Sequence, residues 1–371
     1  DSLGIVTARS GINMSGGQLL VGTGVTIGVA GIATFRTGRV DISDSLYNTS
    51  IGFAAGDAHT TGTRNIAIGY AALTANTTGN YNSVLGFETL EANTTGDANT
   101  AIGHKALEAN TTADSNTAVG YFALGTNTTG AQNVAVGRGA LDANTTASNN
   151  TALGYQALSA NTTADNNTAV GYAALLVNTT GTQNTAVGAI SLDANTTGIE
   201  NTAIGYQSLS ANTTASFNTA LGRKALRDNT TGNSNTAAGT DALLETTTGS
   251  LNTAVGYQSL AANTTANDNT AVGYKALKVN TTGTRNTGIG CSAFDANTTG
   301  SYSVAVGYGA LSANTTANYN TAVGYNALTA NTTGTQNSAF GRGSLETNTT
   351  SDNNSAFGYA ALNANTTGSS N

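Results

Sequence analysis

Few side chains in this 371-residue chain have chemistry to offer, and they are quickly named. His59 and His104 are the histidines, each able in principle to act as a general base or a metal ligand. They fall at different points of the surrounding pattern, and His104 stands where a tyrosine usually does, so we read both as neutral, solvent-facing replacements. Cys291, in Gly-Ile-Gly-Cys-Ser-Ala-Phe, is the sole cysteine. It has no catalytic signature around it and cannot build a disulfide framework or a thiolate metal site within one chain. Asp97, Asp114, Asp165, Asp268 and Asp352 lie among turn residues, without the Gly-Gly-x-Gly-x-Asp pattern that arrays calcium. A column of tyrosines is more suggestive: Tyr70, Tyr121, Tyr155, Tyr172, Tyr206, Tyr257, Tyr274, Tyr308, Tyr325 and Tyr359 recur at one position, where they could stack on sugars or pack on one another. Arg138, Arg223 and Arg342 interrupt the column, which favours an exposed edge. Asn-Thr-Thr also recurs; it matches the acceptor for N-linked sugars, but equally suits a turn followed by a threonine ladder. Catalysis needs a singular constellation and a repeat supplies copies. The expectation is therefore no enzyme, no cofactor and no metal.

These residues are positioned by one sentence said many times. Aligned on the Asn of Asn-Thr-Ala-Val-Gly, residues 48–370 form 19 units of 17 residues with no insertion or deletion, averaging N-T-A-V-G-Y-x-A-L-x-A-N-T-T-G-x-x. Asn371 begins a twentieth, so the array stops without a polar cap, and we expect it to elongate end to end or to continue. At position 15, Ala replaces Gly at Ala113, Ala164, Ala215, Ala266 and Ala317, a 51-residue period that records duplication of three units together. Residues 1–47 stand outside the array, and the Gly-broken β-branched runs of 19–35 read as a separate β-rich segment.

A strict spacing makes each unit meet its neighbours alike, which is a solenoid. Thr, Val, Asn and Gly disfavour helices and suit short strands joined by turns. The expected fold is all-β: a parallel β-solenoid, or β-roll, of 17-residue coils. Position 9 is Leu in 17 of 19 units and is expected in the core. Alternation puts the apolar position 4 (Ile68, Leu85, Val119) inward and position 3, Ala in 16 of 19 units, outward. The uniform small residue then implies a second chain pressed against position 3. Position 10 varies freely and should be exposed, and position 5, Gly in every unit, marks a bend or a close backbone approach. Asn at position 1 (Asn65, Asn82, Asn99, Asn116, Asn133, Asn150, Asn167, Asn184) and at position 12 should form ladders along the axis, and stacked Thr at positions 13 and 14 should do the same. Flat threonine ranks also raise an ice-binding solenoid, which the opposite facing of adjacent threonines opposes.

Composition excludes some classes. The net charge is -7 and the 13 basic residues are scattered, so a nucleic-acid partner is disfavoured. No apolar run approaches the roughly 18 residues of a membrane helix, and no membrane insertion is expected.

Units such as Asn-Thr-Ala-Ile-Gly-Tyr-Gln-Ser-Leu-Ser-Ala-Asn-Thr-Thr (201–214) resemble the repeats of phage and Bacteroidetes tail-fibre proteins. Asn-Thr-Ala-Val-Gly and Asn-Ser-Val-Leu-Gly (82–86) are similar to the signature of YadA-like trimeric adhesin heads, whose repeat is shorter. Residues 4–35 look like segments of long structural proteins of marine cyanophages. The resemblance implies a side-by-side homotrimer in a virion fibre, holding a receptor-binding tip towards a host-cell glycan or receptor. Its alternative is a bacterial cell-surface adhesin or extracellular filament subunit.

Overall fold

The computed structural model describes residues 43–371, which form one continuous stack of coils. The β-rich N-terminal segment expected over residues 1–47 lies outside the described residues except for its last five, where Ser43 bridges to Thr49. Each unit contributes one three-residue strand, from β1 (Thr49–Ile51) to β19 (Ser355–Phe357). Every strand pairs in parallel with the next, residue to residue 17 positions on: Thr168 with Thr185, Ala169 with Ala186, Val170 with Val187. A parallel β-solenoid of 17-residue coils is thus the fold, and 19 strands at the usual spacing of about 4.8 Å give a stack roughly 85–90 Å long.

The middle residue of each strand, not its last, faces inward. Ala67, Ala101, Ala118 and their equivalents at position 3 are buried in every coil but the first, where Ser50 is exposed, whereas position 4 is exposed or half-exposed throughout. The expected facing of the strand is therefore reversed. Its reason lies between the strand and position 9. Gly at position 5 has φ from +123° to +145°, and positions 7, 9 and 17 sit in the left-handed region in every coil, as at Gln156 (+52°), Leu158 (+54°) and Asn166 (+61°). Each such residue resets the alternation, so parity cannot be carried from Leu back to the strand. One result is that positions 8 and 9, adjacent in sequence, both point inward. With Leu filling the coil, little room is left opposite it, and position 3 is Ala in most coils and at its largest the buried Val84.

The glycine column is a close approach as well as a bend. A β-carbon on Gly154 would lie 2.3 Å from the carbonyl oxygen of Gly171 in the next coil. That distance, together with a φ that L side chains rarely adopt, leaves no alternative to Gly.

The core of each coil is small: Ala at positions 3 and 8, Leu at 9, and two asparagines. Its volumes are matched within coils. Phe294 brings the one buried aromatic ring among the described residues in place of Leu, and in that coil position 3 is Gly288, whose absent β-carbon would have met Leu277 of the preceding coil at 3.2 Å.

Candidate functional site

The buried asparagines that recur in the repeat hold one coil on the next. At position 1, Oδ1 of Asn65 accepts both the backbone N–H (2.9 Å) and the Nδ2–H (3.1 Å) of Asn82, whose Nδ2 also donates to the Gly96 carbonyl at 2.9 Å. At position 12, Asn93 donates to Asn76 Oδ1 at 2.8 Å and to that same Gly96 carbonyl at 3.1 Å. The backbone N–H to Oδ1 bond repeats through Asn99, Asn116, Asn133, Asn150, Asn167 and Asn184, all buried. Burying an amide is tolerable only when it is satisfied, and here each ladder satisfies its neighbours.

This geometry decides the Asn-Thr-Thr question for the folded chain. The amide nitrogens that would carry sugar, such as those of Asn110, Asn144 and Asn195, are buried and engaged in the ladder. The two threonines then diverge. Position 13 donates its hydroxyl to the position-13 carbonyl of the next coil, Thr128 to Thr145 at 2.9 Å, and position 14 faces outward. The threonine ladder expected at position 13 thus runs from side chain to backbone.

Position 16 adds a ladder that sequence reading missed. Asp97 Oδ1 accepts the backbone N–H of Asn80 at 2.6 Å, and Asp114 does so from Asp97 at 2.7 Å. Asp165 and Asp352 accept from Ser148 and Thr335 in the same way. The signal was present, since position 16 is mostly Asp, Asn, Ser or Thr, side chains that accept from a nearby backbone N–H. Asp268 is different: it stands at position 17, with a carboxylate oxygen 3.7 Å from Nε of Arg285.

The aromatic column is a face-to-face stack. Phe53, Tyr70, Phe87, His104 and Tyr121 follow one another with ring centroids 4.9–5.7 Å apart and planes within 22°. Tyr155 stacks on Tyr172, Tyr257 on Tyr274, and Tyr308 on Tyr325. Arg138 does not interrupt the column; its guanidinium lies over Tyr121 at 5.7 Å and Tyr155 at 5.6 Å, and Arg342 bridges Tyr325 and Tyr359 likewise. Arg223 pairs instead with Asp241 at 3.6 Å. Tyr206 has Ala189 and Arg223 as column neighbours and makes no ring stack. Where two rings stack, the sides that face each other are closed to a sugar and the edges and hydroxyls meet solvent. His104 is thus part of a packed ladder, and Cys291 occupies the same column half-buried.

The remaining titratable groups are dispersed. Burial pushes the His59 imidazole below its ordinary value, against the opposing pull of Asp44, and its Nε2 has no partner. Burial likewise raises the carboxyls of Asp142 and Asp193 at position 10, each with an unpartnered Oδ1. Position 10 is therefore half-buried rather than exposed. Glu88, Glu91 and Glu108 converge, but the Lys105 ammonium sits among them, 3.0 Å from Glu88 and 2.6 Å from Glu108, and supplies the cation itself. A shallow depression of about 780 Å³ opens where Gly309 and Ser312 replace larger residues; Lys275, Lys278, Asp295, Asn326 and Tyr308 line it.

Comparison of the chain with known protein families and with curated proteins finds no match.

Proposed function

We propose that this chain is the structural shaft of a fibre, a viral tail or capsid appendage that holds a receptor-binding tip towards a host cell. One observation carries the reading: nineteen coils stack in register without a single insertion, and their buried polar groups bind coil to coil rather than converging on a pocket. Such a ladder suits a mechanical role. It is stiff along its length, it has no long loop for a protease, and its length is set by counting units. In this reading the rod stands on the virion and identical chains lie side by side, as the resemblance to tail-fibre and trimeric-head repeats implies.

Immunogold labelling of purified particles with an antibody against the repeats tests this. Gold along thin appendages is the expected result. Gold confined to bacterial cell surfaces would overturn the viral assignment in favour of the second reading, an adhesin or extracellular filament subunit whose rod itself binds. The observation that favours that reading is the depression beside Tyr308, which sets two lysines, an amide and a carboxylate around one aromatic wall.

A further inference from the structure

The outward face of the sheet is built unlike the rest of the surface. Positions 2 and 4 of every coil point out along it, forming two straight columns nineteen residues long. Position 2 is Thr in 13 coils, Ser in three, and Ile66, Val134 and Val304 in the others. Position 4 is Val, Ile, Leu or Phe in all coils but one, where it is Ala238. Neither column holds a charge, although the chain carries 33 charged residues, 13 basic and 20 acidic. The apolar column is substantially bare: Leu85 is 48% exposed, Leu153 46% and Phe357 69%.

We propose that a second copy of this chain covers this ribbon, the two lying side by side with parallel axes and each coil facing a coil of its neighbour. Three features single out a copy as the occupant. The first is area. A Val, Ile or Leu left about two-fifths bare exposes on the order of 50 Å², so nineteen coils offer roughly 1,000 Å² per chain. A stable interface needs about 800 Å² per partner. The second is pitch. A partner that buries the ribbon along its whole length must repeat at the same axial step of about 4.8 Å for nineteen steps, and another copy does so by construction. The third is chemistry. A flat, uncharged face of threonine and β-branched residues buries without stranding a charge, and a face that meets itself is the commonest kind of homo-oligomer contact. The contact lies on positions 2 and 4; position 3, where a neighbouring chain was expected from sequence, is inside the coil.

This inference deepens the side-by-side packing of the fibre reading by placing the contact on one face, and an adhesin or a filament subunit would need the same neighbour, so its failure would leave the immunogold outcome standing. Light scattering on the full chain at micromolar concentration should give a mass of twice 36.8 kDa. A chain carrying Val170→Lys, Val187→Lys and Ile204→Lys should associate at least tenfold more weakly while keeping its β circular dichroism. Should the lysines prevent folding, thiol cross-linking provides the second measurement. In a Cys291→Ser background, Val187→Cys should be joined between chains by a short bifunctional maleimide at least tenfold faster than Thr180→Cys, which stands at the outward-facing position 14. A single-chain mass for the parent, unchanged association of the folded lysine variant, or equal cross-linking at the two sites would overturn the proposal.

Discussion

Thr246 shows what a single missing amide does. It replaces Asn at position 12, so Asn229 Oδ1 is left buried without a partner, and in place of a ladder amide Asn263 meets the Thr246 hydroxyl at 3.5 Å while keeping its bond to the Ala266 carbonyl at 3.2 Å. Thr246→Asn would give Asn229 a donor and Asn263 an acceptor. A buried polar atom left unsatisfied costs about 1–3 kcal/mol, so we expect the variant to be more stable by about that amount in denaturant unfolding. An unchanged or lower midpoint would show that the ladder does not carry this load. Asp142 and Asp193 make a pH-dependent case. Burial raises both carboxyls above their ordinary value, so the folded chain holds these protons more tightly than the unfolded chain. Their contribution is fully present below the ordinary value of 3.8 and is lost as pH rises through the raised one. Asp142→Asn with Asp193→Asn should therefore raise the melting temperature at pH 7, and the gain should shrink as pH falls towards 4. An equal gain at both pH values would contradict the assignment.

At the scale of the coil, packing is a matter of matched volumes. Phe294 and Gly288 depart from the consensus in the same unit, one by adding a ring and the other by removing a methyl group. We expect Phe294→Leu and Gly288→Ala each to destabilise, the first by a cavity and the second by crowding Leu277, and the double variant to recover about 1 kcal/mol of the sum in a double-mutant cycle. Strict additivity would mean that the two sites are independent. The coil also shows how much a repeat reveals. Its length, its parallel stacking and the buried Leu follow from the 17-residue period and the near-invariant position 9. The asparagine columns were legible too, because a turn residue fixed through most units needs a reason. The facing of the strand was not. Alternation is a property of extended backbone, and the left-handed residues at positions 7 and 9 with the twisted Gly at position 5 interrupt it; nothing in Gln156 or Leu158 announces a positive φ. The Asn/Asp/Ser/Thr ladder at position 16 was missed because it tolerates several residue types and so looks like drift.

For the whole molecule, register matters more than any one residue. Excising 167–183 removes one full unit and brings Asn184 to follow Asn166, so every ladder still closes. That deletion should preserve the β spectrum and cost little stability. Excising 167–182 should disrupt the coils around the junction and lower the melting temperature markedly, because the glycine and asparagine columns no longer align. Equal tolerance of the two deletions would refute the dependence on register. The same regularity has a consequence under load. Each coil is fastened only to the ones above and below it, so a chain pulled by its ends should peel rather than snap, surrendering one turn at a time. Seventeen residues drawn straight span about 56–61 Å, less the roughly 4.8 Å step they occupied, so a force–extension trace should climb in even increments of about 51–56 Å. The molecule would be its own ruler, graduated in turns.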